Sequence, residues 1–250
     1  MHKVLVTGMS GLIGRLLRDH LESAGGYELS ALNRSDVPGV PCTRADIADL
    51  QAILPAFEGI DTVVHLAANL EMDNWQGQLD ANLIGTYNVY EAARMKGVKR
   101  VVFASSGSTT NGMENVAPYD AIAQGRYDEV PDDFPKVTHE VFRPESIYGA
   151  TKVWGEALGS FYSDEHGLSV LCARIGSVTK EDRPRRVRDY SIYLSGADVC
   201  QMLRRCIDAP ADLRFDVFYA TSRNRWGYRD LEHPREVIGY EPQDSADSFR

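Results

Sequence analysis

The 250-residue chain has no apolar run approaching the roughly 18 residues that a membrane-spanning helix needs, so a spanning anchor is not expected. Its first residues, Met-His-Lys-Val-Leu-Val-Thr-Gly, reach a glycine-rich turn before a signal-peptide core could form, and a cytoplasmic protein is expected. Cysteine is scarce. Cys42, Cys172, Cys200 and Cys206 show no CxxC or zinc-ligand spacing, and three of them lie in apolar runs as small buried hydrophobes. Positive charge is in deficit, with 27 Lys and Arg against 36 Asp and Glu and a net charge of -9, which argues against a nucleic-acid partner. No repeat, low-complexity tract or flexible linker divides the chain, so one domain over residues 1–250 is expected. With 43% hydrophobic and 25% charged residues, that domain can build a core without disulfides or metal.

Short apolar runs recur at Val4–Thr7, Leu29–Leu32, Thr62–Ala67, Val101–Ser105, Ser169–Ala173 and Phe215–Ala220. Between most of them lie stretches of helical spacing. Leu12, Ile13, Leu16, Leu17 and Leu21 form one stripe, and Leu79, Leu83, Tyr87, Val89 and Tyr90 a second. A third runs through Val153, Trp154, Ala157, Leu158, Phe161 and Tyr162. This alternation predicts an α/β protein: a doubly wound, Rossmann-type parallel sheet with helices on both faces and a small C-terminal region covering the substrate. Two segments break the rhythm. Residues 107–147 form a long polar connection, expected to be a lid, a binding loop or partly disordered. Residues 180–189 carry Arg183, Arg185, Arg186 and Arg188, read equally as a solvated loop or as a site for a carboxylate or phosphate.

Thr7-Gly8-Met9-Ser10-Gly11-Leu12-Ile13-Gly14 follows the first strand and opens the first helix. Gly8 suits the tight turn, Gly11 a close backbone approach to a pyrophosphate, and Gly14 close helix–strand packing. The helix N-terminus offers N–H groups to the phosphates. The second strand ends in Asn33-Arg34-Ser35, with no acid to read a ribose 2′-hydroxyl; Arg34 and Ser35 suit a 2′-phosphate, and Asp36 keeps NAD open beside the favoured NADP. Tyr148 and Lys152 stand four residues apart, so phenol and ammonium can share a helix face. Ser106 ends what reads as the fourth strand, at the carboxyl edge where open α/β sheets bind ligands. His65 reads as a packed core histidine, and Trp154 and Trp226 as packing, interface or pocket-closing residues.

In this order the chain resembles the extended short-chain dehydrogenase/reductases, of the NAD-dependent epimerase/dehydratase type. The resemblance is carried by Thr7–Gly14, Asp46-Ile47, His65-Leu66-Ala67-Ala68, Asn82, Ala104-Ser105-Ser106 and Tyr148–Lys152. It implies Tyr148 as general acid/base, Lys152 as its electrostatic support and a ribose contact, Ser106 as the group orienting the substrate oxygen, and Asn82 as a support of the proton relay. It implies cofactor contacts from Gly8, Ser10, Gly11, Leu12, Ile13, Gly14, Asn33, Arg34, Ser35, Asp46, Ile47, Leu66, Ala67, Ala68, Tyr148, Lys152 and Ile175. The cofactor half is then about residues 1–105 and the catalytic half about 106–250.

Within the family the chain is similar to uronate dehydrogenases at 87–94, 102–106, 148–156, 173–177 and 239–246. That similarity implies substrate contacts from Ser106, Ser108, Ser177 and Arg188, with Arg186 as the alternative to Arg188. Gly107-Ser108 and Leu70 depart from the uronate pattern, and the 107–147 connection is longer. The expected function is NAD- or NADP-dependent hydride transfer at a hydroxyl or hemiacetal carbon of a sugar or sugar acid. A sugar-nucleotide epimerase or dehydratase and a non-catalytic NADP sensor are the alternatives, and a dimer or higher homo-oligomer is the expected assembly.

Overall fold

The computed structural model describes residues 1–250. Its elements run β1 (His2–Thr7), α1 (Leu12–Ala24), β2 (Tyr27–Asn33), β3 (Cys42–Arg44), α2 (Leu50–Ile53), β4 (Thr62–His65), α3 (Trp75–Gln78) and α4 (Gly85–Met95). They continue with β5 (Arg100–Ser106), α5 (Tyr119–Gln124), α6 (Ile147–His166), β6 (Ser169–Ile175), α7 (Asp189–Ile192), α8 (Gly196–Ile207), β7 (Phe215–Ala220) and α9 (Glu232–Ile238). The seven strands form one sheet in the order β3-β2-β1-β4-β5-β6-β7, and every pairing is parallel. The chain winds outward from β1 to β3, returns beside β1 as β4, and winds the other way to β7. That reversal opens a crevice at the carboxyl ends of β1 and β4, where doubly wound sheets bind ligands.

The strands are apolar on both faces because both are covered. Val4 and Val6 face one layer with Leu17 and Leu21 of α1 and Val199 and Leu203 of α8. Leu5 faces the other with Ile53, Val89, Tyr90 and Tyr162. The two-residue period of a strand sorts neighbours to opposite cores, as it does again for Val63 and Val64 and for Val101 and Val102. No helix is long and apolar enough to cross a membrane.

The structure corrects the expected elements in four places. β3, three residues without an apolar run, escapes periodicity, which makes Ser106 the end of the fifth strand rather than the fourth. β4 ends at His65 rather than Ala67, because residues 66–69 turn beneath Gly8. The buried face of α6 is also different. Phe161 and Ala157 are exposed and Val153 and Trp154 only half-buried, while Tyr148, Lys152, Gly155, Glu156 and Gly159 face inward. A Cβ on Gly155 would stand 2.4 Å from the Phe103 ring, and one on Gly159 would stand 2.7 Å from Val170, so the helix seats its glycine face on the sheet. Finally, the 107–147 connection is ordered and packed. Tyr119, Ile122, Val130, Phe134 and Val137 form a third core with Ile192, Tyr219 and Tyr228, and Val137 bridges Arg229. Its apolar residues are spaced irregularly, so no period announces them.

Candidate active site

The glycine turn sits at the crevice. Gly8 has φ +70°, and a Cβ there would stand 2.9 Å from the backbone N of Ala67. Glycine is required on both counts. A Cβ on Gly14 would stand 2.5 Å from the Met9 Cα, so the first turn of α1 lies directly on the chain leaving β1. Gly11 is the N-cap of α1, with no side-chain cap and no acid in the first turn, so the helix's positive end is uncompensated. Beside it, the Asn33 side chain donates to Ser10 Oγ at 2.7 Å, while its buried Oδ1 has no partner. An uncapped helix end, a close-approach glycine turn and an orphaned acceptor together fit a dinucleotide.

The neighbouring expected contacts fall around this turn. Leu66, Ala67 and Ala68 run half-buried beneath it, and Ala67 N donates to Thr7 Oγ1 at 3.1 Å. Leu12 and Ile13 are half-buried in the first turn of α1. Arg34 and Ser35 are exposed just beyond β2. Arg34 lines an open cavity of about 420 Å³ with Arg44, Ala45 and Asp46. Arg44 was not legible, because the strand that delivers it was not. Ile47 is buried, and its carbonyl accepts from Asn88 at 2.8 Å. Ile175 pairs with Ser106 across β6 and β5. His65 is a core residue as expected: its ring bridges Thr7 Oγ1 at 2.8 Å and Thr86 Oγ1 at 3.2 Å. Burial, with the Lys152 charge second, lowers its pKa to about 3, so it stays neutral.

Tyr148, Lys152 and Ser106 converge at the end of β5. Ser146 caps α6 by accepting from Gly149 N at 3.1 Å, which sets where the helix begins. A Cβ on Gly149 would stand 2.4 Å from the Ser108 carbonyl, so the first turn of α6 packs on the chain leaving β5. That contact sets the start of α6, which carries Tyr148, against the chain that leaves β5 at Ser106. Burial pushes the Tyr148 pKa up to about 12, with Ser106 acting the other way. Burial lowers that of Lys152 to about 8, with the charge of Glu156 acting the other way. The Lys152 ammonium donates to the Ala104 carbonyl at 2.8 Å and lies 5.6 Å from the Tyr148 ring centre.

Asn82 sits in a π-helical turn, Leu79–Ile84, that leads into α4. Its side chain accepts from Asn69 N at 2.8 Å, donates to Asn69 O at 2.9 Å, and reaches Thr151 Oγ1 at 3.2 Å. Asn82 therefore ties the loop after β4 to the helix carrying Tyr148.

Behind Lys152 lies a pair that sequence reasoning missed. Arg174, fully buried on β6, forks Glu156 of α6 at 2.9 and 2.8 Å. Ser105 donates to the same carboxylate at 2.5 Å, and Arg174 also donates to Val141 O and Tyr219 Oη at 3.0 Å. Burial opposes the Arg174 charge, and the Glu156 ion pair outweighs it, raising the pKa. The missed signal was a glutamate four residues beyond Lys152, on the same helix face, and an arginine inside an apolar strand.

On the substrate side, Ser108 N donates to Ser106 Oγ at 3.1 Å, and Ser177, half-buried after β6, pairs with the backbone of Ile192 and Leu194. Three of the four arginines of residues 183–188 are paired with carboxylates, and Arg183 makes only backbone bonds to Thr179. Arg185 pairs with Glu181, Arg186 with Asp189, and Arg188 forks Glu114 at 2.5 and 2.7 Å. Burial opposes the Arg188 charge, but Glu114 outweighs it and raises the pKa. Trp226 stacks on Tyr127 with ring centres 4.4 Å apart. Arg229, also unanticipated, is buried against Gly107 and donates to its carbonyl at 3.1 Å.

The chain is 35% identical to an L-arabinose 1-dehydrogenase (NAD(P)(+)) of Haloferax volcanii, over 98% of each protein. It is 33% identical to a uronate dehydrogenase of Pseudomonas putida, covering 100% of this chain and 87% of the relative. A mutant uronate dehydrogenase of Agrobacterium tumefaciens complexed with NAD superposes with a TM-score of 0.83 at 31% identity, covering 100% of this chain and 88% of that one. The family model described as NAD dependent epimerase/dehydratase family matches residues 4–189. With that match spanning the glycine turn, Ser106, Tyr148 and Lys152, the chain belongs to the NAD dependent epimerase/dehydratase family.

Proposed function

We propose that the chain is an NAD(P)-dependent dehydrogenase acting on a hydroxyl or hemiacetal carbon of a sugar or sugar acid, with Tyr148 as general acid/base. The observation that carries this reading is the convergence of Ser106, Tyr148 and Lys152 at the carboxyl end of β5, two strands from the glycine turn. Gly8, Ser10, Gly11, Leu12, Ile13 and Gly14 would hold the pyrophosphate. Asn33, Arg34, Ser35, Asp46 and Ile47 would hold the adenosine, and Leu66, Ala67, Ala68 and Ile175 would line the path to the ring. A nicotinamide held there would supply the acceptor for the hydride that leaves the sugar carbon. Ser106 orients the sugar oxygen, Tyr148 accepts its proton, and the Lys152 ammonium favours the phenolate over the phenol and binds the ribose. Ser108, Ser177 and Arg188 border the sugar.

Arg34 and Arg44 on one cavity favour NADP, because guanidinium forks match a 2′-phosphate; Asp46 on the same rim suits NAD. We also read the protein as a homodimer. Ile84, at the end of the turn before α4, and Tyr87 and Met95 of α4 are exposed, and Phe161 is exposed on α6, which packs beside α4.

The test is a panel of aldoses, uronates and sugar phosphates with NAD or NADP, followed at the absorbance of the reduced nicotinamide. At least one sugar should be oxidised, and a protein that binds cofactor but turns over none is not a sugar dehydrogenase. Arg34→Ala should weaken NADP binding and leave NAD binding nearly unchanged, with the loss shrinking at high salt. Equal losses for the two cofactors would reject the 2′-phosphate role.

A further inference from the structure

An arginine beside a sugar pocket suggests a site for an anionic sugar, but the surroundings of Arg188 say otherwise. Its guanidinium is committed to Glu114, Nε to Oε2 at 2.5 Å and Nη2 to Oε1 at 2.7 Å. This two-point fork is the arrangement a uronate carboxylate would adopt, and a carboxylate of the protein already fills it. Tyr228 donates to the same Oε1 at 2.5 Å. The Glu114 side chain is 10% exposed and that of Arg188 27%, so the pair is sheltered and not a solvated surface bridge.

The pair also stands in the right place. Glu114 lies on the 3₁₀ turn Asn111–Asn115, on the chain that leaves β5 at Ser106. That chain is pinned along its length: Thr109 Oγ1 donates to Ser106 O, Arg143 N donates to Thr109 O, and Arg229 donates to Gly107 O and Asn111 Oδ1. Arg188 lies on the segment leaving β6, whose last residue Ile175 pairs with Ser106. The Glu114–Arg188 pair therefore ties the segment that follows β5 to the segment that follows β6.

We propose that Glu114 is a specificity-determining residue that neutralises Arg188, so that the site takes a neutral aldose and disfavours the corresponding uronate or sugar phosphate. This rests on the sugar-dehydrogenase reading above. An incoming carboxylate must either displace Glu114, leaving a sheltered carboxylate unpaired, or lie beside its charge. A hydroxyl meets no such cost. Each carboxylate oxygen has two lone-pair sites, and Oε2 accepts only from Arg188, so it keeps one for a sugar hydroxyl.

The experiment measures kcat/KM for matched pairs, glucose with glucuronate and galactose with galacturonate, alongside arabinose, xylose and glucose 6-phosphate. Each is run with NAD and with NADP. The wild type should favour the neutral partner at least about tenfold, the ratio for a difference of about 1.4 kcal/mol. Glu114→Gln, which keeps the shape and removes the charge, should move the ratio toward the uronate about tenfold or more while cofactor affinity stays constant. Glu114→Asp, which keeps the charge, should hold the wild-type preference. A wild type that prefers uronates overturns this inference and leaves the dehydrogenase reading intact, and it does so even where a variant fails to fold. A ratio that Glu114→Gln leaves alone, or that both variants move equally, assigns Glu114 to packing and also overturns it. Turnover of no sugar overturns both readings.

Discussion

At the scale of single residues, the site is governed by what burial does to two groups of opposite charge. It pushes the Tyr148 phenol up to about 12 and the Lys152 ammonium down to about 8, so each neutral form is favoured by the same desolvation. Near pH 7 the pair stands as phenol and ammonium without cofactor, and the Lys152 ammonium together with the cation of a bound oxidised nicotinamide would favour the phenolate that takes the sugar's proton. Tyr148→Phe should keep the fold and cofactor affinity and lower kcat by about 10²–10⁴-fold, the usual worth of a positioned acid/base. Near-normal turnover would remove Tyr148 from the chemistry. Lys152 makes a separate prediction for stability. Its ammonium titrates at 10.5 in the unfolded chain and at about 8 when folded, so between those values the unfolded state binds more protons and stability rises with pH. Urea denaturation of wild type against Lys152→Met should show the variant's relative advantage largest below pH 8 and shrinking towards pH 10. A difference that stays flat with pH would mean that Lys152 is hydrated.

At the scale of elements, α6 decides whether the residues meet. Gly155 lies under the Phe103 ring, which is flanked by the rings of His65 and Tyr90 and has little room to yield. Alanine there gains about 1 kcal/mol of helix propensity but must force its methyl into a close-packed core, a term of about 1–3 kcal/mol. Gly155→Ala should therefore lose about 1 kcal/mol in urea denaturation, where propensity alone predicts a gain. A more stable variant would show that the helix can lift from the sheet without cost. The face that matters carried no hydrophobic signal, because glycines, a lysine and a glutamate make it. Ala157 and Phe161 of the stripe are exposed while Leu158 and Tyr162 pack into the core, so the stripe marked the buried face only in part.

At the scale of the whole molecule, exposed apolar side chains have their own consequence. Ile84, Tyr87 and Met95 of the α4 region and Phe161 of α6 remain between 41% and 50% exposed, on helices joined by the Tyr90–Gly155 and Tyr162–Glu91 hydrogen bonds. An apolar face of this kind is stabilised by burial against a second copy. Sedimentation should give a dimer mass, and Tyr87→Glu combined with Phe161→Glu should give a folded monomer. A monomeric wild type at micromolar concentration would reject the dimer.

The alternation of strands and helices apart from β3, the doubly wound class, the glycine turn and the spacing of Tyr148 and Lys152 were legible in the sequence. Each depends on local chemistry: two-residue or helical periodicity, backbone freedom at Gly8, and four-residue helical spacing. The tertiary structure alone decided the rest, because charge pairing across long separations leaves no local pattern. Arg174 meets Glu156 only because β6 lies under α6, and Arg44 joins Arg34 on an open cavity only by way of a three-residue strand. Arg188 reads as an anion site in the chain and as a neutralised one in the fold, since the charge that cancels it, Glu114, is carried from 74 residues away.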